Sequence, residues 1–327
     1  MLDWQWVRTR WPGSGGRTNT TRSEADGAQN VAEVLDLLAD LKGEIGRVRG
    51  ELDAIRSQVP PIDIAGRSAA HGVVDVRVLG GFTVLVDGHV VEWTGRRASR
   101  KLFQLLLQNH PQPVIREVLT EALWPEADPE SVRNRFNVAI HDLRKQLRTA
   151  GLVEDIVAHD GPAYRLNSEI EVRIDETEFV SGVDVLLDGR RDLEPNAVDR
   201  LSAVVGLYHG DYLGTEPYEE WAMERRRYLR RLYISAQDVI ARARLDQGEL
   251  DACIDACERI TKIDGAHEVA HRRMITALAR AGRISEALRQ FDICAINLAD
   301  DLGVQPSEQT LQLIHDIRRG AGPPIDE

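Results

Sequence analysis

The chain has 327 residues and is acidic, with 41 Lys and Arg residues against 53 Asp and Glu residues and a formal net charge of −12. This length favours two domains and an additional segment, and 43% hydrophobic residues suffice for a sizeable core. Because no apolar run has the length of a membrane span or a secretory signal, we expect a cytoplasmic protein with no membrane partner.

The charge is unevenly distributed along the chain. Residues 75–167 carry twelve Lys and Arg and twelve Asp and Glu, whereas residues 168–327 carry twenty and thirty-one. A polyanion responds to the local field rather than to the net charge of the whole chain. A neutral middle segment with clustered bases can therefore still bind nucleic acid.

The N-terminal part combines a polar stretch with a heptad pattern. Residues 1–30, rich in Gly, Ser, Thr and Asn, predict disorder. Residues 31–57 predict a coiled-coil helix, since apolar side chains recur at heptad positions a and d. These candidate dimerisation residues are Val31, Val34, Leu38, Leu41, Ile45, Val48, Leu52 and Ile55.

Charges beside this seam indicate how two copies would pair. Glutamates at position g would face arginines at position e of a parallel partner, and these are Glu44, Glu51, Arg49 and Arg56. This pattern favours a parallel homodimer. Glycines within 43–50 weaken the helix and leave open one amphipathic helix packed on the protein's own body. Residues 58–73, with two prolines, predict a linker.

Residues 74–167 predict a sheet followed by three helices and a hairpin. Alternating runs broken by Gly80-Gly81 and Asp87-Gly88 predict short strands joined by tight turns. Helical patterns follow at 96–110, 114–125 and 131–148. Two β-rich arms around Asp160-Gly161 then predict a second hairpin. This order is typical of a winged helix-turn-helix whose wing comes last.

The sequence "LWPEADPESVRNRFNVAIHDLRKQL", followed by "AYRL", resembles the OmpR-type winged helix in the form found in the Streptomyces antibiotic regulatory protein family. In the helical part, residues 210–236 and 271–310 resemble the bacterial transcriptional activation domain of the same family. The resemblance implies a transcription factor that binds double-stranded DNA. It also implies that the helical half contacts a partner subunit or RNA polymerase.

The helix predicted at 131–148 has two contrasting faces. Its apolar stripe faces the core and comprises Val132, Phe136, Ile140, Leu143 and Leu147. The opposite face carries almost only cationic and amide side chains, and Asp142 is the single acidic residue beside them. Candidates for base edges are Asn134, Asn137, Val138 and His141, and candidates for phosphates are Arg133, Arg135, Arg144, Lys145 and Arg148. A merely solvated helix surface is the alternative.

Two further places supply candidate DNA contacts. The start of the first helix carries Arg96, Arg97, Arg100 and Lys101, which are either phosphate contacts or a solvated helix end. In the wing, His159 and Arg165 are candidates. The sequence departs from the family pattern in two places. In His141-Asp142-Leu143-Arg144, Asp142 stands where the family has a basic residue, and in the wing Asp160 stands where the family often has an arginine.

The acidic half is helical in pattern and repeats at 34 residues. Ala236 aligns with Ala270, and Gly248 with Gly282. This period is typical of tetratricopeptide-like helix pairs, which stack on their neighbours. Aromatic residues near its start are either an exposed anchor or ordinary packing, and they are Tyr212, Tyr218 and Trp221. The arginine run within 225–231 either forms salt bridges with neighbouring acids or reaches DNA backbone.

No motif for catalysis or for a cofactor stands out. The sequence lacks a P-loop, a dinucleotide fingerprint and a nucleophile elbow. Cys253, Cys257 and Cys294 sit in helical patterns and read as small core residues; the pair one turn apart lacks further ligands for a metal. We therefore expect no enzyme and no cofactor.

The predicted fold class is multidomain and mainly α. It comprises an N-terminal coiled-coil helix, an α+β winged helix at 74–167, an all-α tetratricopeptide-like domain at 168–317 and a tail at 318–327. The predicted function is sequence-specific transcriptional regulation, with activation favoured, by a homodimer. The alternative is a protein-protein adaptor whose winged helix no longer binds DNA.

Overall fold

The computed structural model describes residues 72–187 and 195–320. The predicted disordered segment at 1–30 and the predicted coiled coil at 31–57 lie outside the described residues. Within the described ranges no helix is both long enough and apolar enough to cross a membrane.

The first three strands form the meander that the sequence predicts. They are β1 (Val73–Arg77), β2 (Thr83–Val86) and β3 (His89–Val90). Alternation along β1 buries every second side chain, as β-strand geometry requires. Between β2 and β3, Asp87 and Gly88 have φ values of 48° and 83°, the left-handed conformations of a tight hairpin turn. The predicted Asp-Gly hairpin is confirmed.

Three helices and a second hairpin complete the winged helix in the predicted order, but Val114 and Ile115, predicted as the start of the second helix, form a short strand instead. In chain order the elements are α1 (Arg97–Asn109), β4 (Val114–Ile115), α2 (Arg116–Leu123), α3 (Pro129–Thr149), β5 (Val157–Asp160) and β6 (Ala163–Leu166). β4, β6 and β5 form a small antiparallel sheet in that order. Phe82, Trp93 and Phe103 pack with ring centroids 5.6 to 6.4 Å apart and tie the first sheet to α1.

A seventh strand, β7 (Glu171–Ile174), was not predicted. It lies beyond residue 167 and pairs in parallel with β1, so the first sheet has the order β3-β2-β1-β7. Four residues carry little periodicity, and the partner strand lies almost a hundred residues earlier. A parallel pairing of this kind leaves no local turn signal in the sequence.

The rest of the described chain is all-α. Its helices are α4 (Asp175–Leu187), α5 (Pro195–Val205), α6 (Met223–Asp246), α7 (Leu250–Ile263), α8 (Glu268–Arg280), α9 (Ile284–Leu302) and α10 (Glu308–Arg318). From α6 to α9 each helix packs on the next. Gly248 and Gly282 follow α6 and α8 with φ values of 78° and 75°, so the predicted 34-residue spacing coincides with equivalent turns.

Backbone and carboxylate contacts join the two halves. The Asp175 carboxylate accepts hydrogen bonds from the amides of Val78, at 2.9 Å, and Leu79, at 3.1 Å. Leu79 also forms a β-bridge with Tyr212. Burial raises the pKa of Asp175, and these amide hydrogen bonds oppose that rise. The start of the helical half is therefore anchored to the sheet of the winged helix.

Arg226 organises the loop that precedes α6. This buried side chain donates hydrogen bonds to the carbonyl oxygens of Tyr212 and Pro217, each at 2.8 Å, and also to that of Glu216. Backbone carbonyls buried without a donor are costly. The guanidinium thus supplies hydrogen-bond donors to carbonyl groups of a segment that lies outside regular helices and strands.

We expect Arg226→Ala to lower the free energy of unfolding by about 2 to 5 kcal/mol, because it removes a buried side chain and leaves the carbonyl oxygens of Tyr212 and Pro217 without their guanidinium donor. Arg227→Ala is the matched control, since Arg227 is exposed and adjacent in the chain. It should change stability by less than about 0.5 kcal/mol. Urea unfolding followed by circular dichroism measures both. Equal midpoints for the two variants would contradict this role of Arg226.

Candidate nucleic-acid interface

The helix α3 is held by its cap and by an apolar spine. The side chain of Asp128 accepts a hydrogen bond from the Ser131 amide at 3.1 Å, which caps the first turn. The predicted stripe faces the core, and Phe136, Ile140, Leu143 and Leu147 are buried. On the same side, Gln146 donates a hydrogen bond to Ser99 of α1 at 3.0 Å. The predicted inward face of α3 is confirmed except at Val132, which is half-exposed.

The opposite face of α3 is open to solvent. Its exposed side chains are Arg133, Asn134, Arg135, Asn137, His141, Lys145 and Arg148, with Val138 half-exposed among them. Cationic and amide groups of this kind suit phosphate oxygens and base edges. The structure therefore presents most of the predicted contact residues together on one accessible surface, which we call the α3 outer face.

Arg144 has a different environment from the other predicted phosphate contacts. Its guanidinium lies 2.8 Å from the Asp155 carboxylate and donates a hydrogen bond to the carbonyl of Val157 at 3.1 Å. Arg148 also approaches Asp155, at 3.6 Å. Arg144 therefore links α3 to the first residues of the wing hairpin. The pairing with Asp155 is not visible in the sequence, because only the folded hairpin brings the two side chains together.

The acid that departs from the family pattern lies to one side of this face. Asp142 is half-buried and lines a cavity of about 420 Å³ between α3 and residues 90–95. Lys145 lines the same cavity. The carboxylate therefore sits at the flank of the α3 outer face, where it weakens the positive field less than a central acid would.

The wing contributes fewer cations than the other elements. His159 is exposed on β5, but Arg165 donates hydrogen bonds to Ser168 at 3.1 Å and to the carbonyl of Leu166 at 3.3 Å, within the turn after β6. At the base of the wing, Arg116 bonds the Tyr164 hydroxyl at 2.9 Å. Its guanidinium also lies 5.3 Å from the ring centroid of Phe136 on α3. Arg116 was not among the predicted residues.

The second predicted basic cluster faces carboxylates of the helical half. Arg100 lies 2.6 Å from Glu216, and Lys101 lies 2.7 Å from Glu219. Arg97 approaches Glu219 at 3.4 Å but remains largely exposed, and Arg96 is exposed. In this arrangement Arg100 and Lys101 form ion pairs between the two domains. They are therefore neither free phosphate contacts nor a solvated helix end, the two alternatives that the sequence left open.

The aromatic residues predicted near this loop separate into two environments. Tyr212 is buried, and the indole N–H of Trp221 bonds the Glu219 carboxylate at 2.9 Å. Tyr218 is 94% exposed. Ordinary packing thus accounts for Tyr212, whereas Tyr218 retains the exposure expected of an anchor.

Comparisons with known proteins agree with this architecture. A family model described as "Transcriptional regulatory protein, C terminal" matches residues 92–166, and one described as "Bacterial transcriptional activator domain" matches residues 175–318. The chain has the domain architecture of the Streptomyces antibiotic regulatory protein family. The resemblance found in the sequence is confirmed, and residues 175–318 are called the activator domain below.

Two regulatory proteins match this chain over about three quarters of its length. The transcriptional regulatory protein EmbR of Mycobacterium tuberculosis is 28% identical over 254 residues, which cover 74% of this chain and 63% of EmbR. The regulatory protein DnrI of Streptomyces peucetius is 26% identical over 265 residues, which cover 77% of this chain and 94% of DnrI. A solved structure of M. tuberculosis EmbR with a low-affinity phosphopeptide matches with a TM-score of 0.62 and 28% identity, covering 78% of this chain and 67% of that one. The chain thus spans less than two thirds of the full length of EmbR.

The cysteines of the activator domain are core residues. Cys253, Cys257 and Cys294 are all buried and free, as the sequence analysis expected. Among residues 72–187 and 195–320, no group of His, Cys, Asp and Glu is arranged to hold a metal ion.

We expect Arg144→Gln to lower the free energy of unfolding by about 1 kcal/mol, because it removes a partly exposed ion pair and a hydrogen bond to Val157. Arg135→Gln is the control on the same helix, since Arg135 is exposed, and its effect should stay within about 0.5 kcal/mol. Urea unfolding measures both, and a double-mutant cycle with Asp155→Asn isolates the pair. Full additivity in that cycle would show that the two side chains do not interact.

Proposed function

We propose that the chain is a sequence-specific, DNA-binding transcriptional regulator that inserts α3 into the major groove. The observation that carries this proposal is the α3 outer face, an exposed cationic and amide surface supported from behind by a buried apolar spine. A recognition helix needs this combination, since its support must be rigid while its polar side chains reach the groove. The similarity to EmbR and DnrI, which are regulatory proteins, supports the proposal.

Within this surface we assign two kinds of contact. Asn134, Asn137, Val138 and His141 occupy the middle of the outer face, where they would meet base edges. Asn can bond adenine in a bidentate manner, and the valine methyls can contact thymine. Phosphate contacts are assigned to the exposed cations around them, Arg133, Arg135, Lys145 and Arg148. Arg144, because it is engaged with Asp155, is assigned a positioning role.

The acidic activator domain fits a different kind of partner. Its carboxylates make it a poor phosphate binder and favour a basic protein surface. We propose that this domain is a tetratricopeptide-like scaffold that contacts RNA polymerase and that regulation is activating. The stacking of α6 to α9 and the equivalent glycine turns support the tetratricopeptide-like interpretation.

We further propose that the chain is a homodimer held by a parallel coiled coil at residues 31–57. Tethering two winged helices raises their effective concentration on adjacent half-sites. This raises the affinity for a repeated operator above that of one domain.

A protein-protein adaptor is the second candidate, favoured by one feature of the wing. Asp160 is exposed beside the wing tip, and Arg165 is engaged within the following turn. Selection of bound duplexes from a random oligonucleotide pool separates the candidates. A regulator enriches one motif, and its affinity falls steeply between 50 and 200 mM salt, as expected for about six or more phosphate contacts. Absence of any enriched motif would support the adaptor.

We expect Asn134→Ala and Asn137→Ala each to relax base preference at one position of the selected motif, by about 1 to 3 kcal/mol. Arg133→Gln, one position before Asn134, serves as the contrast. It should weaken all duplexes alike and reduce the salt slope by about one. Fluorescence anisotropy with single-base variants of the motif measures these effects. If both alanine variants keep the full base preference, the assignment of base contacts is wrong.

We expect Leu38→Asp to dissociate the dimer, because it places a charge in the apolar seam at position a. Ala39→Asp introduces the same charge at position b, outside the seam, and should leave the dimer intact. Sedimentation equilibrium of the full chain at micromolar concentration distinguishes the two. A monomeric wild type would contradict the coiled-coil proposal.

A further inference from the structure

A polar cleft lies at the junction of the winged helix and the activator domain. Its volume is about 550 Å³, and it opens between the end of α1 and the first turns of α6. Gln108 and Asn109 line it from α1, and Glu224, Arg227, Tyr228 and Arg231 line it from α6. This volume falls within the range of small-molecule sites, about 300 to 1,000 Å³.

The arginine run of α6 divides into engaged and unengaged members. Arg225 pairs with Glu176, Arg230 pairs with Asp211, and Arg226 bonds the carbonyls described above. Arg227 and Arg231 are exposed and lie one helical turn apart. Neither has a carboxylate within ion-pair distance in residues 72–187 and 195–320. The predicted salt bridges thus account for Arg225 and Arg230, and the carbonyl hydrogen bonds account for Arg226.

Two unpaired guanidiniums on one helix face destabilise the free protein. Like charges at positions i and i+4 destabilise a helix by a few tenths of a kcal/mol. An anion bound between the two guanidiniums would replace this repulsion by attraction. Guanidinium groups also match phosphate oxygens with paired N–H donors. Only Glu224 contributes a carboxylate to the lining of the cleft, so its net charge is positive.

The remaining walls of the cleft are held in place. Gln108 donates a hydrogen bond to the carbonyl of Trp221 at 3.2 Å, and Asn109 donates one to the carbonyl of Leu105 at 2.8 Å. The guanidinium of Arg225 lies 5.2 Å from the ring centroid of Tyr228. These contacts hold side chains of α1 and α6 on the two sides of the cleft.

We propose that this cleft binds a small phosphorylated ligand, with Arg227 and Arg231 holding its phosphate groups. Such a ligand would touch α1 and α6 together and would stabilise the junction between the two domains. Ligand binding to the folded state raises the melting temperature. This inference is independent of the proposed DNA-binding function, because no residue of α3 lines the cleft.

The test is a titration of the full chain with inorganic pyrophosphate and with ATP, by calorimetry at 150 mM salt. The double variant R227Q/R231Q should bind at least about tenfold more weakly than wild type, and the ligand should no longer raise its melting temperature. The matched control is R318Q/R319Q, which removes two exposed arginines at the end of α10. It should bind within about twofold of wild type. No saturable binding by wild type, or equal losses in both variants, would overturn the proposal.

A second arm distinguishes a small ligand from the DNA backbone as the source of the phosphate. Duplex affinity of the ligand-free R227Q/R231Q variant should equal that of R318Q/R319Q. If R227Q/R231Q instead loses duplex affinity about tenfold relative to that control, the cleft holds backbone phosphate and the small-ligand proposal fails. Wild-type duplex affinity, measured in the same series, reports separately on the proposed DNA-binding function.

Discussion

The buried carboxylate of Glu216 is the contact on which the placement of α3 against the helical half depends. Its side chain is 2% exposed, and it receives Arg100 at 2.6 Å and the Gln104 amide at 3.1 Å, both from α1. α1 in turn supports α3 through apolar packing and through the bond between Ser99 and Gln146. The activator domain therefore contacts α1 through Glu216, and α1 in turn contacts α3 through Ser99. Arg226 binds the backbone of the loop that carries Glu216.

A buried ion pair of this kind specifies geometry more than it adds stability. Removing two charges from water costs several kcal/mol, which their attraction roughly offsets when further hydrogen bonds are present. An apolar contact of equal size would stabilise the junction as well but would tolerate sliding and rotation. The pairing of Glu216 with Arg100, and of Glu219 with Lys101, fixes one orientation of the two domains.

The sequence predicts the features that depend on local pattern. The stripe of α3 follows from helical periodicity, and the turn at Asp87-Gly88 follows from residues that adopt positive φ. The roles of Arg100 and Arg144 do not follow, because their partners Glu216 and Asp155 are set by tertiary structure. For the same reason β7 was missed, since its strand character depends on β1. On the α3 outer face, periodicity identified which side chains are exposed but could not show that Asp155 engages Arg144.

An acidic protein can present a cationic surface to DNA when its charges are segregated. Arg100 and Lys101 of α1 pair with carboxylates at the junction, whereas Arg133, Arg135 and Lys145 are exposed on the outer side of α3. Photo-crosslinking tests this central claim most directly, with p-benzoylphenylalanine in place of His141 or, as a reference, Arg319, in complex with a selected duplex. The account predicts crosslinks to motif bases from position 141 and none from 319. A bound duplex that never crosslinks to position 141 would contradict it.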